Sequence, residues 1–359
     1  MYVDIVETLS VTYAPSGRPL AAFANGSIAF TSKVSGVPDL LLSLRAGSGP
    51  GADKVKRTME RPVFHPCVRL ARWRDHAELS FVPPDGRFVL AGYDVDLLDP
   101  SASPLSAKAN DLNLPASIEI RTGLGATGSD FEVRLTVSHR FYTGTGSSSG
   151  ASSGTGSAAA TSLSNNLGAP RPATLRGNSG DAKAPLLEDL TVSIPITAAV
   201  RNISDLRATK GEAHWSPGDI SIEWKISAKE AAGISSAGCI LRCSVVGASS
   251  DDDEDSAPLS NGMKSNTHDY DENDEYQAPN LKSNDTNSAT NKKKTRQTAI
   301  LMPGSASLSF GVKGWLASGL KVDSLVIDTK RSKGLGEGVR PYKGVKYLTV
   351  SRKGVEVRC

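Results

Sequence analysis

Tyr2 and Asp4 sit two residues apart in the opening run YVDIVETLSVTY, where apolar and polar residues alternate. In an extended strand such a pair shares one face, so the phenol and the carboxylate point the same way. A carboxylate set among Val3, Ile5 and Val6 needs a partner if it is buried, because an unpaired charge is costly to desolvate. Near the other end, Lys346 in YKGVKYLTVS has an aliphatic stem that can lie on apolar surface while its charge stays in water.

No catalytic chemistry is legible beyond these groups. There is no G-x-S-x-G, no G-x-G-x-x-G after a strand, no Walker lysine loop and no H-E-x-x-H. His65, His76, His139, His214 and His268 are dispersed. Cys67, Cys239, Cys243 and Cys359 form no disulfide framework for a chain this long, and CILRC lacks the second pair or histidine that zinc requires. Asp85 belongs to a Pro-Pro-Asp-Gly turn, where an aspartate bonds its own backbone. The run NKKKTR and the run SSDDDEDS read as solvated charge, and no basic and aromatic residues interleave as a nucleic-acid platform needs. The expectation is a non-enzyme with no catalytic residue, metal site, cofactor or nucleic-acid partner.

The elements that must position Tyr2, Asp4 and Lys346 are strands. Alternation and β-branched residues predict them at 2–13, 21–34, 39–44, 77–82, 88–95, 131–139, 187–196, 220–226, 239–246, 305–313, 321–328, 345–351 and 354–359. SFVPPDGRFVLAGYDVDLL, from Ser80, reads as a hairpin turning on Asp85-Gly86. Trp215 and Trp224 bracket a second hairpin and read as core aromatics. With no long amphipathic helix, the pattern indicates an all-β sandwich. The apolar fraction, 38%, is low, and two tracts account for it. Residues 142–185 are crowded with Ser, Gly and Ala, and 247–297 with polar and charged residues. Neither tract buries enough apolar surface to offset its ordering entropy, so both are expected to be disordered loops. The second carries 11 acidic and 6 basic residues, which leaves +8 on the rest of a chain whose formal charge is +3. A basic body favours anionic surfaces, lipid headgroups among them.

Three phrases resemble one family. They are MYVDIVETLSVTYAPSGRPLAAFANGSIAF, FHPCVRLARWRDHAELSFVPPDGRFVLAGYDV, and ASGLKVDSLVID followed by YKGVKYLTVSRKGVEVRC. Together they resemble the mu homology domain, the carboxy-terminal domain of clathrin-adaptor medium chains, and most closely the complex 3 branch. The resemblance implies an elongated, immunoglobulin-like β-sandwich of two subdomains. One would comprise about 1–100 with 305–359, and the second, about 110–304, would be inserted into it. It further implies an isolated carboxy-terminal part, without the longin-like domain that precedes it in whole medium chains.

The same resemblance implies a binding function. The module would recognise Tyr-x-x-apolar sorting signals in the cytosolic tails of membrane cargo, beside two large subunits and one small one. It would act in the cytoplasm, peripherally on Golgi, endosomal and transport-vesicle membranes, in transport to the lysosome or vacuole. The tyrosine pocket maps to Tyr2, Asp4, Thr31, Gly344 and Lys346, with Asp4 accepting the phenol hydroxyl and Lys346 holding the carboxylate. The apolar pocket maps to Met1, Val3, Val322, Leu325 and Val345. Lys343, Gly344, Val345, Lys346 and Tyr347 form the edge strand to which the signal adds its backbone. Gly344 replaces a tryptophan and Thr31 a lysine of endocytic relatives, which widens the pocket and removes a charge; Lys33 is the nearest substitute. These departures motivate the alternative of a structural, membrane-surface module with a degenerate pocket.

Overall fold

A computed structural model describes residues 1–47, 51–98, 112–141, 185–247, 301–335 and 344–359. Apart from Pro185 and Gly247, the tracts 142–185 and 247–297 lie outside the described residues, as does Lys343. The protein is an all-β sandwich, as the alternating pattern predicts.

Its first strand, β1 (Tyr2–Tyr13), shows the cause of the fold directly. Val3, Ile5, Leu9, Val11 and Tyr13 are buried, while Tyr2, Thr8 and Ser10 are exposed. One face therefore meets the core and the other meets water. β1 pairs antiparallel with β2 (Pro19–Ser32), which pairs with β7 (Gly86–Asp96), which pairs with the edge strand β4 (Glu60–Phe64). On its other side β1 runs parallel to β18 (Gly344–Arg358), which pairs antiparallel with β16 (Ser305–Lys313). The sheet continues through β11 (Leu190–Pro195) and β14 (Ser221–Ile226) to β13 (Glu212–His214), with β10 (Leu186–Leu187) also on β16.

Two four-stranded sheets accompany this long one. The first runs β17 (Leu320–Ile327), β3 (Leu40–Ala46), β6 (Glu78–Phe81), β5 (Val68–Arg69). The other runs β12 (Val200–Ala208), β15 (Cys239–Gly247), β9 (Asp130–Val137), β8 (Ala116–Leu124), all from residues 116–247. The long sheet draws on both halves of the chain, since β11 pairs with β16. Among the described residues, the short helices α1 (Ala52–Thr58), α2 (Leu70–His76) and α3 (Ala228–Ala232) fill connections. Trp224 is fully buried, its indole donating to the Lys210 carbonyl at 2.8 Å, while Trp215 is half-buried.

Several expectations change. Ser80–Leu98 is not a hairpin: β6 pairs with β3 and β5, while β7 pairs with β2 and β4. Pro83 and Pro84 lack the N–H a ladder needs, and Gly86, at φ +91°, carries the chain from one sheet to the other. The strand expected at 187–196 breaks into β10 and β11. The two expected at 345–351 and 354–359 are one strand, β18. β4, β5, β12 and β13 carry too short or too polar a pattern to be read in advance, whereas β8 alternates Ala116, Ile118 and Ile120 with polar residues and is absent from the expectation.

Candidate functional site

The residues singled out at the two chain ends meet in the middle of the long sheet. In one rung Gly344, Tyr2, Thr31 and Arg87 lie side by side on β18, β1, β2 and β7. The next same-face rung holds Lys346, Asp4, Ala29 and Val89. Directly paired residues project to the same side, so these side chains share the outer face. Tyr2 is 49% exposed there, and Val89 is also exposed.

Asp4 is not held by Lys346. Its ion pair is with Arg87, Nη2 to Oδ2 at 3.5 Å, with the Asp4 side chain 25% exposed. Lys346 is exposed and makes no ion pair among the described residues, which is what a strand lysine does when water solvates its charge. Lys33 follows the end of β2, is exposed, and does not supply the missing cation either. Arg87 escaped the sequence reading because it lies 83 residues from Asp4, beside a turn. Only the β1–β2–β7 register brings them together.

The opposite face of the same strands is apolar. Val345, Val3 and Phe30 form the rung between the two just described. Val3 is 1% exposed, Met1 and Leu325 are also buried, and Val322 and Val345 are half-buried. Val322 and Leu325, three apart, would ordinarily face opposite ways. A bulge between Val322 and Ser324 corrects this, and the two pair with the inward-facing Leu44 and Leu42 of β3.

Among the described residues, an open strand edge lies between these two faces. β16 pairs with β18 only as far as Leu348, and Gly314, at φ +80°, then turns the chain away. The Gly314 N–H donates to the Tyr347 carbonyl at 2.8 Å, so Tyr347 is the last residue covered. Backbone groups alternate along a strand, so Val345 turns its N–H and C=O to the same side as Tyr347. Among the described residues no strand pairs that side of 344–346. At the start of β17, two N–H groups are taken up by hydroxyls. The Leu320 N–H donates to Ser318 Oγ at 3.1 Å, and the Val322 N–H to Tyr347 Oη at 3.0 Å.

A buried carboxylate secures this arrangement. Glu7 is fully buried and accepts from Tyr93 Oη at 2.9 Å, from the Ser318 N–H at 3.1 Å and from Ser318 Oγ. Burial pushes its pKa up from 4.5, and those hydrogen bonds oppose the shift. Tyr93 reaches Glu7 over Gly26, where a Cβ would meet the Tyr93 ring at 2.2 Å. The network thus ties the segment before β17 to β1. Two concavities, about 330 and 470 Å³, lie elsewhere, beside Tyr13 and beside Leu187. Neither bears on the Tyr2–Asp4 face, because an added strand needs an unpaired edge, not a cavity.

The architecture places the chain among all-β sandwich proteins. It belongs to the adaptor complexes medium subunit family, whose model matches residues 1–359. Human AP-3 complex subunit mu-2 is 36% identical over 109 residues, 30% of this chain and 24% of the relative. The AP-3 complex subunit mu of Schizosaccharomyces pombe is 31% identical over 121 residues, 33% of this chain and 26% of the relative. These matches span about a quarter of the length of the curated relatives. A homology model of the full-length AP-3 complex in an intermediate open conformation shares the fold. Its TM-score is 0.53 at 18% identity, over 100% of this chain and 68% of that one. The kinship expected from the three quoted phrases is the kinship found. Among the described residues no helix is long and apolar enough to cross a membrane, and no cluster of His, Cys, Asp and Glu would hold a metal.

Proposed function

We propose that the chain binds Tyr-x-x-apolar sorting signals in the cytosolic tails of membrane cargo by taking them as an added strand on β18. One observation carries the reading: the polar wall and the apolar wall stand on opposite faces of β1 and β18, on either side of one open edge. Residues three apart in an extended peptide point to opposite faces. A peptide along Gly344–Lys346 therefore sends its tyrosine over Tyr2 toward Asp4, and its apolar residue toward Val3, Val345, Val322 and Leu325. The reading brings with it two subdomains, about 1–100 with 305–359 and about 110–304. It also brings two large subunits and one small one as partners, and peripheral work on Golgi, endosomal and vesicle membranes toward the lysosome or vacuole.

A hydrogen bond from the phenol to the Asp4 carboxylate is worth about 1.5–3 kcal/mol, or about 10- to 150-fold in Kd. Calorimetry with a Tyr-x-x-Leu peptide tests it: Asp4→Ala weakens binding by that factor, and equal affinities refute the pocket. A second reading, a membrane-surface module with a degenerate pocket, draws on the burial of Met1, Val3 and Leu325 and on the basic body. Salt-sensitive sedimentation with anionic vesicles, in the absence of any peptide affinity, would select it.

A further inference from the structure

Arg87 reaches Asp4 across an intervening strand. Its backbone stands on β7, two strands over and one same-face rung along from that of Asp4 on β1, about 12 Å away at ordinary strand spacing. The outer-face residues of β2 between them are Thr31 and Ala29, both small enough for a long side chain to pass over. Ala29 is only 9% exposed although it lies on the outer face, as expected beneath the stem of a long side chain. The contact is a single one, Nη2 to Oδ2. Among the described residues Oδ1 accepts no hydrogen bond, and the Arg87 side chain is 66% exposed. A guanidinium carries five N–H donors in a rigid fork, and the contact with Asp4 is an ion pair at 3.5 Å with no hydrogen bond, so donors remain for a ligand.

A tyrosine hydroxyl is both donor and acceptor, and burial leaves it unsatisfied unless both roles are met. Asp4 can only accept. We propose that Arg87 is a specificity-determining residue of the tyrosine pocket: it orients the Asp4 carboxylate and donates a free N–H to the phenol oxygen as the phenol O–H bonds to Oδ1. The ligand so defined is an unmodified phenol, bonded in both its roles. This inference rests on the proposed signal site and deepens it, since Arg87 lies outside the residues expected to form the pocket.

The test is calorimetry on the full chain with a Tyr-x-x-Leu peptide and its Phe-x-x-Leu counterpart. The wild type prefers the tyrosine peptide. Arg87→Ala weakens the tyrosine peptide about 10- to 150-fold, as loss of one hydrogen bond to a charged group requires, and leaves the phenylalanine peptide unchanged. Thr31 lies between Tyr2 and Arg87 in their rung, one strand nearer to Asp4. Adding Thr31→Lys to Arg87→Ala therefore returns a donor to Asp4 and restores the preference. Equal weakening of both peptides, or no weakening, overturns the role of Arg87 while leaving the signal site standing. A wild type that does not tell the two peptides apart removes the site and this inference together. Arg87 is exposed, so unchanged thermal unfolding of the variant separates binding from folding.

Discussion

Glu7 offers the sharpest test of how the core supports the site. Replacing it by alanine strands the buried Tyr93 hydroxyl and the Ser318 N–H, which now donate to it at 2.9 and 3.1 Å. Each buried donor left without an acceptor costs about 1–3 kcal/mol, and the lost side chain leaves a void. Relief of the carboxylate's own desolvation offsets part of this, so the net loss for Glu7→Ala is about 3–5 kcal/mol. Glu7→Gln keeps the volume and one acceptor oxygen but turns an amide N–H₂ toward donors, and costs about 1–2 kcal/mol. The two variants separate further with pH. Because burial raises the folded pKa of Glu7 above 4.5, its contribution is fully present below that unfolded value. It is lost as pH rises through the raised folded value. The gap between wild type and Glu7→Gln therefore narrows from acid toward neutral pH. Urea titrations of the three proteins across that range measure it directly. A cost below about 1 kcal/mol for Glu7→Ala, or a gap that widens with pH, refutes the reasoning.

Tyr347→Phe removes the hydroxyl that accepts the Val322 N–H, so hydrogen exchange at the Val322 amide rises by about five- to tenfold. An unchanged rate would show that this bond does not protect the Val322 amide. Burial pushes the Cys239 thiol up to about 11 and that of Cys243 up to about 12; it raises those of Cys67 and Cys359 as well, but Cys359 is exposed just after β18. An aromatic disulfide reagent at mildly alkaline pH therefore labels Cys359 promptly and Cys67 more slowly. Cys239 and Cys243 react only after denaturant is added, and prompt labelling of either contradicts its place in the core.

What could be read along the chain was whatever depends on near neighbours. Alternation in YVDIVETLSVTY marks β1 from Tyr2 to Tyr13 and sets Tyr2 and Asp4 on one face, because a strand's period of two is a local property. Three phrases sufficed for the family. Tertiary pairing decided the rest. Strand neighbours are chosen by burial across distant segments, so Pro83–Gly86 bridges two sheets instead of closing a hairpin, and Arg87 takes the place expected of Lys346 beside Asp4. The bulge that turns Val322 and Leu325 to one side, and the departure of β16 at Gly314 that bares Val345, are likewise properties of register. A side chain's face follows from its own strand, but its partner follows from which strands the core brings alongside.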